Sequence, residues 1–334
     1  MRAWQFSSFG VDALEFVERP IPQPGPGEVL VRVRAVSYNF RDLLLMRGQY
    51  NPRLALPRIP CSDGAGEIAA LGAGVRRWRI GERVAAAFMQ NWIDGPLTAD
   101  KARGALGGDV DGMLAEYVLL DENGLVRIPP HLSFEEAATL PCAAVTAWNA
   151  LKIGNLQPGS TVLIEGTGGV SIFALQLARL RGARVLGISS SNEKLQRAMA
   201  MGLDAGLNYH EHPDWEFWVM EQTDGRGVDL VVEVGGSATL NRALRAAAVG
   251  GAIAQVGVLS AADEPLQLAP ILHKCLRIEG VYVGSRRDFE ELNQAISLAE
   301  LRPVGENFPW FEAREALLRL EEASHFGKLV LSVG

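Results

Sequence analysis

The chain has 334 residues, enough for two domains with sizeable cores. Its 48% hydrophobic and 21% charged residues match an ordinary globular protein, and a net charge of -7 argues against a nucleic-acid or anionic-membrane partner. Three scattered cysteines (Cys61, Cys142 and Cys275) point to a reducing, cytoplasmic compartment rather than a disulfide framework.

Met1–Phe6 reads as a strand rather than a signal peptide, and no apolar run is long enough to span a membrane. A proline-rich connector, Pro20–Gly27, leads into Gly27–Ala35, where Val29, Val31 and Val33 alternate with Arg32 and Arg34 as in a half-exposed antiparallel strand. A short helix is expected over Phe40–Arg47, stopped by Gly48, Gln49 and Tyr50. Asp63–Val75, Ile80–Ala85 and Leu114–Leu120 read as further short strands, and a compact β-barrel accommodates them. Asn91–Asp111 is polar and glycine-rich, an exposed excursion.

Ser133, with Glu136 three residues on, is a capping-box start, and a helix is expected from Ala143 to Ile153. The stretch Thr161–Asn208 then organises the chain. Thr161–Glu165 is a strand suited to burial on both faces, Gly166–Ser171 a tight turn into an apolar-periodic helix, and Arg184–Ile188 the next buried strand. This strand–turn–helix–strand unit suits a dinucleotide, because glycine admits a pyrophosphate close to the backbone and the helix N-terminus offers it N–H groups. Gly166 and Gly168 fit the fingerprint, while Ser171 stands at its third position in place of Gly or Ala. The second strand ends in Ser189, Ser190 and Ser191, followed by Lys194, with no carboxylate at its tip. Hydroxyls and a cation can donate to a 2′-phosphate, which favours NADP(H) over NAD(H). The alternation continues with strands at Val228–Val234, Ala252–Leu259 and Ile278–Gly284 and a helix at Thr239–Ala248, predicting a parallel sheet covered on both faces. Helices at Asp288–Leu301 and Ala313–Ala323 follow. A closing strand, Phe326–Val333, is assigned back to the barrel.

Several segments carry a resemblance: NFRDLLLMRGQY (Asn39–Tyr50), CSDGAG (Cys61–Gly66), AATLPCAAVTAWNAL (Ala137–Leu151), the EGTGGVS turn and SHFGKLVL (Ser324–Leu331). Over essentially its whole length the chain resembles the medium-chain dehydrogenase/reductase superfamily, in its zinc-independent, quinone-oxidoreductase-like branch, often labelled NAD(P)-dependent alcohol dehydrogenase. The resemblance implies an α/β protein. A GroES-like β-barrel catalytic domain would span 1–127 and 285–334, and a doubly wound Rossmann domain 128–284. Zinc-dependent relatives place ligands where this chain has Asn39, Ser62 and Cys142; only the cysteine is retained, so no metal is expected. In place of the metal, the resemblance implies Tyr50 and Asn39 as donors to the substrate oxygen, with Arg41 as a further charge. Beside the cofactor it implies Thr146 on the nicotinamide side, Gly168, Gly169 and Val170 at the pyrophosphate, and Val256, Gly257 and Val258 under the ring. Tyr209 would flank the 2′-phosphate and Lys328 would lie near the diphosphate. An apolar edge strand at 278–284 implies a homodimer. The expected reaction is hydride transfer from NADPH to a quinone, activated alkene or carbonyl, the alternatives being alcohol oxidation or a dinucleotide-binding protein without turnover.

Overall fold

The computed structural model describes residues 1–260 and 264–334. The chain forms two compact units, one made of Met1–Val145 and Val283–Gly334, the other of Thr146–Tyr282. The expected division at Arg127 is therefore shifted. Residues 128–145 belong with the first unit because the short helix Phe134–Ala138 packs on the strands Glu28–Tyr38 and Asp63–Leu71.

The first unit is built on a seven-stranded sheet whose centre is the 11-residue strand Glu28–Tyr38. Asp63–Leu71 pairs along one edge of this strand; Tyr117–Asp121 and Lys328–Ser332 share the other, opposite its first and last residues respectively. Val29, Val31 and Val33 face the core and Arg32 faces solvent, as the alternation requires; from Ala35 onward both faces are buried. Gly66 is needed where Asp63–Leu71 crosses its neighbour, since a Cβ there would fall 2.1 Å from the Arg32 carbonyl oxygen. Lys328–Ser332 joins this sheet, as expected. It also pairs in parallel with Gly305–Pro309, a strand the sequence pattern did not reveal.

The second unit is a six-stranded, all-parallel sheet. Its order is Ala205–Asn208, Arg184–Ser189, Thr161–Glu165, Val228–Glu233, Ala247–Gln255, Arg277–Gly280, which is the doubly wound order. Every residue of Thr161–Glu165 is buried, consistent with a central strand covered on both faces. Two expected strands differ in extent. The fifth ends at Gln255 because Gln255 is its last paired residue, leaving Val256–Val258 in the following loop, and the edge strand is Arg277–Gly280 rather than 278–284. Among the described residues no helix is long and apolar enough to cross a membrane.

Candidate active site

In the first unit the site residues gather at one end of the central strand. Asn39 caps the helix Phe40–Met46: its backbone N–H donates to Asp42 Oδ2 at 2.9 Å, closing a capping box. The expectation for Asn39 as a substrate donor meets a different arrangement. Its Oδ1 accepts from Lys328 Nζ at 2.5 Å, and its Nδ2 donates to Ser62 Oγ at 3.3 Å. Ser62 Oγ donates in turn to Asp63 Oδ1 at 2.8 Å, and Asp63 Oδ2 accepts the Cys142 N–H at 3.1 Å. Cys142 is brought there by a single π-helical turn, Leu140–Ala144, that precedes the helix Val145–Ile153. Such turns occur frequently at functional sites.

Lys328 also departs from expectation. It is 3% exposed, donates to the Tyr38 carbonyl at 2.6 Å and lies 3.9 Å from Asp63 Oδ2, so its ammonium is held inside the first unit. Burial raises Asp63 above the usual carboxylate range, an effect countered first by Lys328. Asp42 is pushed up to about 6 by burial, with Arg41 pulling in the opposite direction.

Arg41, expected to offer charge to substrate, is instead packed. Its Nη1 donates to the Leu106 carbonyl at 2.8 Å and pairs with Asp42 at 3.3 Å. Its guanidinium lies 4.6 Å from the ring centroid of Phe88 and 5.4 Å from that of Tyr50. Tyr50 is 40% exposed, and its backbone N–H donates to Leu44 O at 3.2 Å. The stack braces the exposed Tyr50 side chain.

A catalytic zinc takes thiolate, imidazole or carboxylate donors. Here the Asn39 oxygen already receives an ammonium and the Ser62 hydroxyl is spent on Asp63, while desolvation and the adjacent Asp63 push the Cys142 thiol well up. This donor set does not fit the metal.

In the second unit the turn after Glu165 has a geometry that can accommodate an anion. Gly166 sits at φ +71°, where a side chain would be strained, and its N–H donates to Ile188 O at 2.7 Å. The helix Gly169–Leu180 starts from Gly168, which offers no side-chain cap, so the first helical N–H groups, including those of Gly169 and Val170, are left for a ligand. Ser171 Oγ donates to Glu165 O at 2.6 Å, which accounts for a hydroxyl at the third fingerprint position. The three serines divide in role. Ser189 is buried and accepts the Ser191 N–H; Ser191 caps the helix Asn192–Ala200 through the Lys194 N–H; Ser190 is exposed. The Tyr209 N–H donates to Ser189 O at 3.0 Å, and its ring lies 4.8 Å from that of His210. A carboxylate the local pattern missed, Glu211, accepts from Asn192 at 2.6 Å and from Asn208 at 3.2 Å. Thr146 is buried, Val256 and Gly257 are half-buried, and Val258 is exposed.

Comparison with known proteins identifies the family of both halves. Residues 25–130 match the alcohol dehydrogenase GroES-like domain model, and residues 169–298 match the zinc-binding dehydrogenase model. A zinc-type alcohol dehydrogenase-like protein of Schizosaccharomyces pombe is 40% identical over 333 residues, covering 97% of this chain and 96% of its own. An acryloyl-coenzyme A reductase of Metallosphaera sedula is 30% identical, with 85% of each chain covered. A crystal structure of an NAD-dependent alcohol dehydrogenase superposes with a TM-score of 0.92 at 35% identity, covering 100% of both chains.

Proposed function

The chain belongs to the medium-chain dehydrogenase/reductase superfamily, and from that membership we propose an NADP(H)-dependent oxidoreductase that works without zinc, reducing a quinone, an activated alkene or a carbonyl. The observation that carries the reading is that, within the first unit, Lys328, Asn39, Ser62 and Asp63 engage one another where zinc-dependent relatives place ligands; in the second unit the uncapped helix N-terminus behind Gly166 supports the coenzyme. The dinucleotide supplies the hydride. The protein must hold its pyrophosphate on the N–H groups of Gly168, Gly169 and Val170 and stabilise the negative charge that develops on the substrate oxygen. Tyr50 is the group for that second task, since a phenol hydroxyl can donate to the oxygen and pass it a proton. Arg41 serves by fixing the Tyr50 ring, and Asn39 by holding Lys328, rather than by touching substrate.

The exposed Ser190, beside Ser191 and Lys194, supports NADP(H) as the preferred coenzyme; tighter binding of NADH than of NADPH would reverse that preference. The three unpaired cysteines support a cytoplasmic location. Exposed Val258, Leu268, Leu272 and Ile278 on the unit whose sheet ends at Arg277–Gly280 support a homodimer joined at that edge. The names of several relatives favour a second reading, alcohol oxidation. A substrate panel followed by NADPH absorbance, run on wild type and Tyr50→Phe, separates the two. The expected result is turnover of enones, quinones or enoyl thioesters, with kcat lowered about a hundredfold in the variant and coenzyme affinity retained. Full activity in Tyr50→Phe removes that residue from the mechanism. Alcohol turnover dependent on bound zinc replaces the reading altogether.

A further inference from the structure

Two carboxyl side chains that this mechanism does not use stand at the carboxyl edge of the parallel sheet. Thr161–Glu165 and Val228–Glu233 are adjacent strands whose register pairs Leu230 with Val162, Val231 with Leu163 and Val232 with Ile164. The next positions, Glu165 and Glu233, therefore lie side by side on one face. Both are buried. Each uses one oxygen: Glu165 Oε2 accepts the Val234 and Gly235 N–H groups, both at 3.2 Å, and Glu233 Oε1 accepts the Gly236 N–H at 2.8 Å and the Thr239 hydroxyl at 2.7 Å. The remaining oxygens, Glu165 Oε1 and Glu233 Oε2, are buried without a donor among the described residues.

Among the described residues the surroundings offer them no cation. The neighbouring strands place uncharged Ile188 beside Glu165 and Gln255 beside Glu233, and Ser171 and Thr239 are the side chains facing from the helices that follow. The charged groups of the packed elements are engaged elsewhere: Arg184 with Gln222 O, Arg179 with Asp204, Arg242 with Glu216 and Asp214, Arg245 with Glu216, and Lys152 over the Trp148 ring. Burial, and then the charge of Glu233, hold Glu165 well above the usual carboxylate range.

We propose that Glu165 and Glu233 share a single proton, and that this proton fixes the loop Val256–Ser260 against which the dinucleotide binds. The second half rests on the coenzyme reading above. The mechanical link is short. The pair holds the N–H groups of Val234, Gly235 and Gly236. Glu233 O in turn accepts from Val256 at 2.8 Å and Gly257 at 3.2 Å, Val234 O accepts from Leu259 at 3.4 Å, and Gly235 O accepts from Ser260 at 2.7 Å. There is no slack in this contact, because a Cβ on Gly257 would fall 2.3 Å from the Val234 carbonyl oxygen. When base removes the proton, two negative carboxylates confront each other in a buried site, and their separation drags the turn and the loop with it. Glu165 and Glu233 are thus positioning residues.

The test measures binding of NADPH and NADH to the full-length protein between pH 7 and 10, in wild type, Glu165→Gln and Glu165→Ala, together with the pH dependence of unfolding without coenzyme. In wild type, Kd is expected to rise by up to about tenfold per pH unit once the pair loses its proton. Glu165→Gln carries its own N–H toward Glu233 and should bind as wild type does at pH 7 while losing the rise. Glu165→Ala should bind about tenfold more weakly throughout, through the loss of two backbone hydrogen bonds. A flat wild-type profile, or an unchanged rise in Glu165→Gln, overturns the coupling. The unfolding arm is independent of any ligand. A group raised in the folded state contributes stability at low pH that is lost as pH rises through its folded value, so wild type should lose stability toward pH 10 and Glu165→Gln should not. Identical slopes overturn the shared proton. Failure of both nucleotides to bind at every pH overturns the coenzyme reading, while the unfolding slopes still decide the proton.

Discussion

Each unit buries a pair of acids, and the two pairs are held in opposite ways. The first buries Asp42 and Asp63 beside Arg41 and Lys328, with N–H and O–H donors filling the remaining positions. The second buries Glu165 against Glu233 with backbone N–H groups and one hydroxyl and, among the described residues, no cation. A cation keeps a buried acid ionised; another acid forces it to keep a proton. The first cluster should therefore break when a side chain is removed, and the second when the solution takes a proton away.

The largest expected effect is at Lys328. Lys328→Met takes the donor from Asn39 Oδ1 and the Tyr38 carbonyl and leaves buried Asp63 without the cation 3.9 Å from its Oδ2, and should cost about 3–5 kcal/mol in denaturant unfolding. A loss under about 1 kcal/mol would mean that the mixed-charge cluster is not held by its cation. Next comes Asp42, raised to about 6 when folded. Its sign is that of a raised group: protonation favours the folded state, so wild type gains on Asp42→Asn as pH falls from 7 to 5, by up to about 1.4 kcal/mol per pH unit. A constant difference between the two across that range would show that Arg41 fully offsets the burial of Asp42. The smallest effect belongs to the second unit. Ser171→Ala deletes a buried hydrogen bond to Glu165 O and should cost about 1 kcal/mol. Because that bond is to the backbone, the pH dependence of unfolding should stay as in wild type; a changed slope would mean that Ser171 takes part in the carboxyl pair.

Much of the second unit was legible along the chain. A run such as TVLIE, followed by glycines and a periodic helix, fixes a strand, a tight turn and a helix within about 20 residues, and local rules suffice over that distance. The ends of elements were less legible. Ala252–Leu259 continues apolar past Gln255, yet pairing stops there because the next residues bond to the turn after Glu233. In the first unit the helix between Asn39 and Tyr50 was readable, but the fate of their side chains was not. Lys328 reaches Asn39 across 289 positions of sequence, and no local pattern records that contact.

By itself, the sequence determined the family, through the motifs that carry the resemblance, and the class of the two halves with a glycine turn suited to a dinucleotide. The last two depend on periodicity and glycine placement within short windows. Tertiary structure alone decided which polar groups were already engaged. It spent Asn39 and Arg41 on neighbours, withdrew Lys328 and Ser189 from the surface, and set Glu165 beside Glu233 on adjacent buried strands. Burial and long-range pairing set the charge of a group, and both come into being only when distant strands meet.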